Sequence, residues 1–149
     1  MRNKACFVAC ICILSLGLTL AWVLGAQTAT SVAAAPTGEL HVCKTGCPYD
    51  DIQEAVDAAN EGDIIKVAAG SYIGVSSHEG VTQTVYLSKT LTIQGGYTTT
   101  NWTTPDPEVN ITTLDAEGQG RVLYINGHLS PLIAGLHITG GNALGREPS

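Results

Sequence analysis

Apolar and polar residues alternate along much of the chain, and one short version of this alternation occurs three times. Each copy runs apolar, any residue, apolar, polar or small, then small, and the copies are Ile65–Ala69, Leu91–Gly95 and Leu136–Gly140. Alternation with a period of two predicts strands with one buried face, and the closing Gly or Ala predicts a sharp turn. A unit that returns in this way, with a longer interval before the third copy, predicts a coiled repeat architecture with one insertion.

One helix is predicted before the first copy of the unit. Asp50 is placed as its N-cap with Gln53 three residues later, the spacing of a capping box, and Gly62 as its stop. Such a helix is expected to cover the open apolar end of a stack of strands. Further strands make three strands per coil the simplest interpretation, and they are predicted at Tyr72–Val75, Val85–Leu87, Ile111–Leu114 and Val122–Ile125.

The order of these segments resembles a known family. CPYDDIQEAV at 47–56 leads to VAAGSY at 67–72, and LTIQGGY at 91–97 and GLHITGGNA at 135–143 follow. From 42 to 143 the chain is similar in order and spacing to the opening of secreted right-handed parallel β-helix proteins of the pectate-lyase-like superfamily. The resemblance implies an all-β fold, a right-handed parallel β-helix (solenoid) with one N-terminal capping α-helix. It implies inward columns formed by Ile65, Val67, Leu91, Ile93, Leu136 and Ile138.

The resemblance also bears on the length of the chain. Proteins of this kind continue for many more coils, whereas the sequence stops at Ser149 shortly after Gly140-Gly141-Asn142-Ala143. We therefore expect a truncated chain whose natural partners include downstream coils of a longer chain. Alternation alone would also allow an antiparallel β-sandwich.

The first residues predict export. Arg2 and Lys4 precede an uncharged stretch that ends at Ala26, so residues 1–26 are interpreted as a signal peptide. Because the stretch is long enough to span a bilayer, an uncleaved signal anchor remains the alternative. Both interpretations predict an extracellular or cell-surface location, with membrane contact only through an uncleaved N-terminal segment. Residues 27–39 are predicted as a disordered spacer, and 40–149 as the β-helix cap and first coils.

Charge narrows the class of partner. The formal net charge is −6, and two of the seven basic residues lie in the export segment, so five remain against 13 acidic residues. An acidic chain without a basic run argues against nucleic acid as a partner. A polysaccharide or another cell-surface component is the partner that this composition leaves open.

Two cysteines, Cys43 and Cys47, lie outside the export segment. In an oxidising compartment they are predicted to close a small disulfide loop. Two free thiols, or a metal or redox pair, are the alternatives, although two thiols without nearby His ligands do not complete a zinc site. No metal or cofactor is expected.

Candidate chemistry is sparse. Asp115 and Glu117, close to Arg121, suit a calcium ion or an acid and base pair, but a solvated turn accounts for them equally well. No residues match a catalytic constellation, and we do not expect enzymatic activity in this chain.

Aromatic residues supply the candidate glycan contacts. Tyr97 and Trp102 border the insertion and are predicted to be exposed, where their rings can stack on sugars. His137 is predicted to point outward on the same face as Lys66 and Thr92. The predicted function is an exported β-helix module with a structural, adhesin-like or glycan-binding role. The alternative is an N-terminal fragment of a polysaccharide lyase or glycoside hydrolase whose catalytic coils lie elsewhere.

Overall fold

The computed structural model describes residues 38–143, which are mostly β with one helix. The predicted export segment, 1–26, and all but the last two residues of the predicted spacer, 27–39, lie outside the described residues. The elements are β1 (Glu39–Val42), α1 (Ile52–Ala58), β2 (Ile64–Ala68), β3 (Gly70–Ile73), β4 (Ser76–His78), β5 (Val81–Leu87), β6 (Thr92–Tyr97), β7 (Thr112–Ile125), β8 (Leu132–Ala134) and β9 (His137–Gly141). None of the helical structure in this range is long and apolar enough to cross a membrane.

The first sheet has the strand order β1-β2-β6-β8, and every pair in it is parallel. Its register places Leu40, Ile65, Ile93 and Ile133 in one column. Ile65 and Ile93 are fully buried in the core. The alternation predicted for the first two copies of the unit is therefore confirmed, with the apolar positions inward.

The remaining strands assemble around the long strand β7. β3 and β9 pair with its first half and β5 pairs with its second half, all in parallel. The register aligns Tyr72 with Leu114 and Ile138, and Val85 with Leu123. β4 is the exception, because it runs antiparallel to β5 across a two-residue turn. Parallel neighbours need long connections. The connection from β1 to β2 contains α1, and each of the other connections between parallel neighbours contains at least one strand of the other sheet.

The third copy of the alternating unit lies in a different sheet from the first two, which corrects the sequence prediction. The prediction placed Leu136 and Ile138 in the same inward columns as Leu91 and Ile93, but the residue that pairs with Ile93 is Ile133 of β8. Ile138 pairs instead with Leu114 of β7. A short strand that the sequence analysis did not identify thus takes the place predicted for the third copy.

A tight turn separates β8 from β9. Gly135 adopts a φ of 65°, a left-handed conformation that favours glycine, and this lets the chain leave one sheet and enter the next within two residues. Ile138, predicted to be inward and buried, is 53% exposed, although it is in register with a buried leucine. Its exposure arises because no strand in the described part of the chain lies beyond β9. Leu136 is half-buried against the core.

Helix α1 closes one end of the core. Its N-cap is Asp51 rather than the predicted Asp50, since the Asp51 carboxylate accepts hydrogen bonds from the N–H groups of Gln53 (2.6 Å) and Glu54 (3.3 Å). The helix ends at Ala58, before the predicted stop at Gly62. The apolar face joins the core through Ile52, Ala55, Val56 and Ala59.

Two side chains connect α1 with residues about thirty positions further along the chain: Gln53 of the helix and Lys89, which follows β5. Gln53 is 7% exposed; its Oε1 accepts from the N–H of Tyr86 at 2.7 Å and its Nε2 donates to the Tyr86 carbonyl at 3.3 Å. This side-chain amide thus bonds β5 as a neighbouring strand would. Lys89 donates to the carbonyls that end the helix, those of Val56 (2.9 Å), Asp57 (3.1 Å) and Ala59 (2.6 Å).

Cys43 and Cys47 form a disulfide, as predicted, with their Cα atoms 5.5 Å apart. The bond closes the segment between β1 and α1. The N–H of Cys43 also donates to the Tyr49 carbonyl at 3.0 Å. The covalent link therefore reinforces a turn that backbone hydrogen bonding already holds.

Asp63 joins the start of β1 to the end of the helical segment. Its carboxylate accepts from the N–H of Asn60 (2.7 Å) and from the N–H of Gly38 (2.7 Å). These bonds, that from Asn60 first, hold the pKa of Asp63 below its ordinary value of 3.8.

We expect Asp63→Asn to lower the free energy of unfolding at neutral pH. We also expect it to make that free energy less dependent on pH in the acid range. Because the folded pKa of Asp63 is lower than the unfolded one, its contribution is present above pH 3.8 and is lost as the pH falls through the folded value. Urea unfolding from neutral pH into acid measures this. Asp50→Asn, at an exposed position nearby, is the control. An Asp63→Asn profile parallel to that of the wild type would contradict the assignment.

Candidate functional site

The insertion between β6 and β7 folds over the outward face of the first sheet. Register places His41, Lys66 and Gln94 in one outward row across β1, β2 and β6. Trp102 of the insertion stacks on His41, with ring centroids 4.1 Å apart and planes inclined by 9°. Lys66 Nζ donates to the Trp102 carbonyl at 2.6 Å. The insertion is therefore docked on the sheet at its single tryptophan.

The charges under the insertion are paired. Glu39 contacts His41 Nε2 at 2.6 Å and Lys66 Nζ at 2.7 Å. The Lys66 ammonium, followed by the His41 imidazole, lowers the pKa of the Glu39 carboxyl from its ordinary value of 4.5. Lys66 also lies 5.3 Å from the centre of the Tyr97 ring. This row is thus an ordered network of neutralised charges and aromatic rings.

Two of the three predicted glycan contacts, Tyr97 and Trp102, lie together, but of these only Trp102 is partly exposed to solvent. Tyr97, predicted to be exposed, is 2% exposed, because Trp102 packs 5.9 Å from it and its hydroxyl donates to Gln94 Oε1 at 2.9 Å. Trp102 keeps part of its surface exposed. Tyr97 therefore supports the indole and does not present its own ring to solvent.

His137 lies on a different sheet from Lys66 and Thr92. It begins β9, pairs with Thr113 and is exposed. Lys66 and Thr92 belong to the first sheet. The expected shared face is therefore wrong, because the turn at Gly135 precedes His137 rather than following it. His137 instead lines a separate surface cavity of about 320 Å³.

Uncharged polar residues flank Trp102 in the sequence. Residues 98–104 read Thr-Thr-Thr-Asn-Trp-Thr-Thr. Asn101 Oδ1 accepts from the N–H groups of Thr103 (3.0 Å) and Thr104 (3.3 Å), and Thr98 Oγ1 accepts from the N–H of Asn101 at 3.1 Å. These side-chain-to-backbone bonds fix the turn. We call residues 98–104 the Trp102 loop.

The base of the insertion is equally well fixed. Thr112 is fully buried, and its Oγ1 accepts from the N–H of Gly96 at 3.0 Å. The Gly96 carbonyl accepts from Asp106 N–H (2.7 Å) and from Asn110 Nδ2 (3.2 Å). Both ends of the insertion are therefore held at the end of β6, so the loop presents Trp102 from a rigid scaffold.

Asp115 and Glu117 lie within β7, at an irregularity in its pairing with β9. Asp115 Oδ1 accepts from the N–H of Glu117 at 2.8 Å, and Glu117 has a φ of 50°. Within residues 38–143 no three His, Cys, Asp or Glu side chains are placed to hold a metal ion.

A second aromatic group, which the sequence analysis did not single out as a site, lies on β4, β5 and β7. Tyr86 stacks between His78 (5.3 Å) and Tyr124 (5.8 Å). Its hydroxyl donates to Glu79 Oε2 at 2.7 Å and accepts from Asn126 Nδ2 at 2.7 Å. The bond to Glu79 raises the pKa of Tyr86 above its ordinary value of 10.0. Tyr86 is buried, so this group packs strands rather than offering an open platform.

Comparison with protein-family models, with curated proteins and with solved structures gave no match. The Trp102 loop is the place where the structure combines a partly exposed aromatic ring, a rigid base and uncharged hydrogen-bonding groups. We therefore take it as the candidate functional site.

Proposed function

We propose that residues 40–143 are the N-terminal cap and first coils of a right-handed parallel β-helix that serves outside the cytoplasm as a structural and glycan-binding module. Parallel pairing of successive passes supports the β-helix, with the inward column Leu40, Ile65, Ile93 and Ile133. The position of α1 against one end of the core supports its role as the cap.

Two features support a location outside the cytoplasm. Residues 1–26 carry the basic and apolar pattern of an export segment. The bond between Cys43 and Cys47 is of a kind that persists in oxidising compartments. A tagged full-length chain, produced in its source cell, is expected in the medium or at the cell surface, and its retention in the cytoplasm would contradict export.

Glycan binding is supported chiefly by Trp102. Its indole is partly exposed. His41 stacks on one face of the indole, and Lys66 donates a hydrogen bond to the backbone carbonyl of Trp102. An aromatic ring on a rigid mount presents an apolar face to a sugar ring while neighbouring polar groups pair with sugar hydroxyls. Of the other two candidate rings, Tyr97 is buried and His137 is exposed on a different sheet.

A glycan array tests this proposal. The full-length chain is expected to bind a subset of glycans, and Trp102→Ala is expected to weaken that binding about tenfold, because it removes the stacking surface. His137→Ala, which changes an exposed ring on another sheet, is the control and should bind as the wild type does. Thermal unfolding checks that both variants fold. The proposal fails if no glycan binds, or if Trp102→Ala binds as well as His137→Ala.

A further inference from the structure

We infer that the glycan recognised at the Trp102 loop is an uncharged polysaccharide, an inference that rests on the proposed function. It concerns the chemistry of the ligand and not the existence of the site. Two observations support it: the basic side chains are engaged in contacts within the protein, and the insertion contains no Lys or Arg.

The basic side chains of the described residues are engaged within the protein. Lys66, the one beneath the Trp102 loop, contacts Glu39 at 2.7 Å and the Trp102 carbonyl at 2.6 Å. Lys89 donates to three helix carbonyls, and Lys44 lies 4.3 Å from the centre of the Tyr72 ring. Arg121 lies 5.7 Å from the centre of the Tyr124 ring. Recruiting a polysaccharide carboxylate to Lys66 would require breaking its contact with Glu39.

The insertion itself disfavours an anionic chain. It contains Asp106 and Glu108 and no Lys or Arg. Glu39, at the edge of the same face, adds a further carboxylate. Anionic sugars are held in proteins by basic side chains or by bound cations. In the described range no three carboxylate, His or Cys side chains are arranged for a bridging cation.

The exposed polar residues of the Trp102 loop suit hydroxyl-rich ligands. Thr99, Thr100, Asn101, Thr103 and Thr104 are exposed. Hydroxyl groups can both donate and accept hydrogen bonds, so they match sugar hydroxyls without requiring a charge on either partner. His41 covers one face of the indole at 4.1 Å, and the remaining surface is the part a sugar can contact. An uncharged chain can use all of these groups.

Affinity electrophoresis of the full-length chain tests the inference. Native gels contain either an uncharged polysaccharide (hydroxyethyl cellulose, galactomannan or xyloglucan) or polygalacturonate. We expect at least one uncharged polymer to retard the chain, with little dependence on added salt, and polygalacturonate to leave its mobility unchanged. Trp102→Ala is expected to lose about tenfold in affinity. The double variant Thr103→Ala/Thr104→Ala, which keeps the indole, is expected to lose a few-fold.

Each outcome decides a separate point. Retardation by an uncharged polymer that both variants reduce, with His137→Ala unaffected, supports the inference. Retardation by polygalacturonate alone, weakened by salt, overturns the inference and leaves glycan binding standing. Binding to uncharged polymers that neither variant reduces overturns the placement at the Trp102 loop. No retardation by any polymer removes the proposed glycan-binding function and the inference with it.

Discussion

Gly95→Ala is expected to lower the free energy of unfolding by about 3 kcal/mol or more. Gly95 lies at the end of β6, where the turn at Gly135 passes directly over it. An added methyl group would lie 2.6 Å from Leu136 Cδ2 and 2.9 Å from Thr112 Cβ, and nearer still to the Gly135 carbonyl oxygen. The carbonyl belongs to the backbone of the adjoining pass, so it cannot move aside without shifting β8 and β9.

Equilibrium urea unfolding measures this loss. Gly80→Ala is the matched control, because Gly80 has a φ of 79° but open space around its Cα. It should cost only about 1 kcal/mol, the conformational penalty alone. Equal stability of the two variants would show that the close approach at Gly95 is not a constraint on the fold.

Gln53→Ala is expected to lower the free energy of unfolding by about 3 kcal/mol. The substitution leaves the N–H and the carbonyl of Tyr86 without their partner at a buried position. Each buried group left unpaired costs about 1–3 kcal/mol. The loss falls on the contact between α1 and β5, so α1 should loosen first.

Two further variants separate hydrogen bonding from helix propensity. Gln53→Glu keeps the acceptor for the Tyr86 N–H, but it places a buried carboxylate against the Tyr86 carbonyl and the Asp57 carboxylate, so its stability at neutral pH should be no higher than that of Gln53→Ala. Glu54→Ala changes the adjacent, exposed helix position and should cost about 0.5 kcal/mol or less. Urea unfolding and hydrogen exchange at Tyr86 give the readout. Rapid exchange at Tyr86 in the wild type would refute the pairing.

Local alternation was sufficient to predict the inward strands but not their sheets. Ile65 and Ile93 are buried as the pattern predicts. Leu136–Gly140 has the same pattern, yet it pairs with β7, because sheet membership depends on where the chain turns. β8 has only three residues and shows too short an alternation to be identified. A period of two therefore predicted the buried face of β2 and β6 and left the neighbouring strands unspecified, whereas at β9 the predicted inward residue Ile138 is exposed.

The sequence predicted the exposed tryptophan of the site but not the residues that hold it in place. The position of Trp102 in an insertion indicated exposure, and part of the ring is exposed. Tyr97 follows the same kind of signal, but Lys66 and the indole cover it from positions distant in sequence. The partners of Gln53 and Lys89 lie about thirty residues away, beyond the reach of any local pattern. The run of Thr residues around Trp102 was visible in the sequence and was the missed signal.

The contacts made by Lys89 also set an order of events during synthesis. The carbonyls that end α1 receive their donor from a residue that leaves the ribosome some thirty residues later. An isolated helix of seven residues is unstable in water, so it gains little before that donor arrives. The segment made first is therefore completed late, once β5 and the following corner have emerged. The nascent chain thus remains open at α1 until Lys89 has emerged, as it remains open at β3 until β7 has emerged.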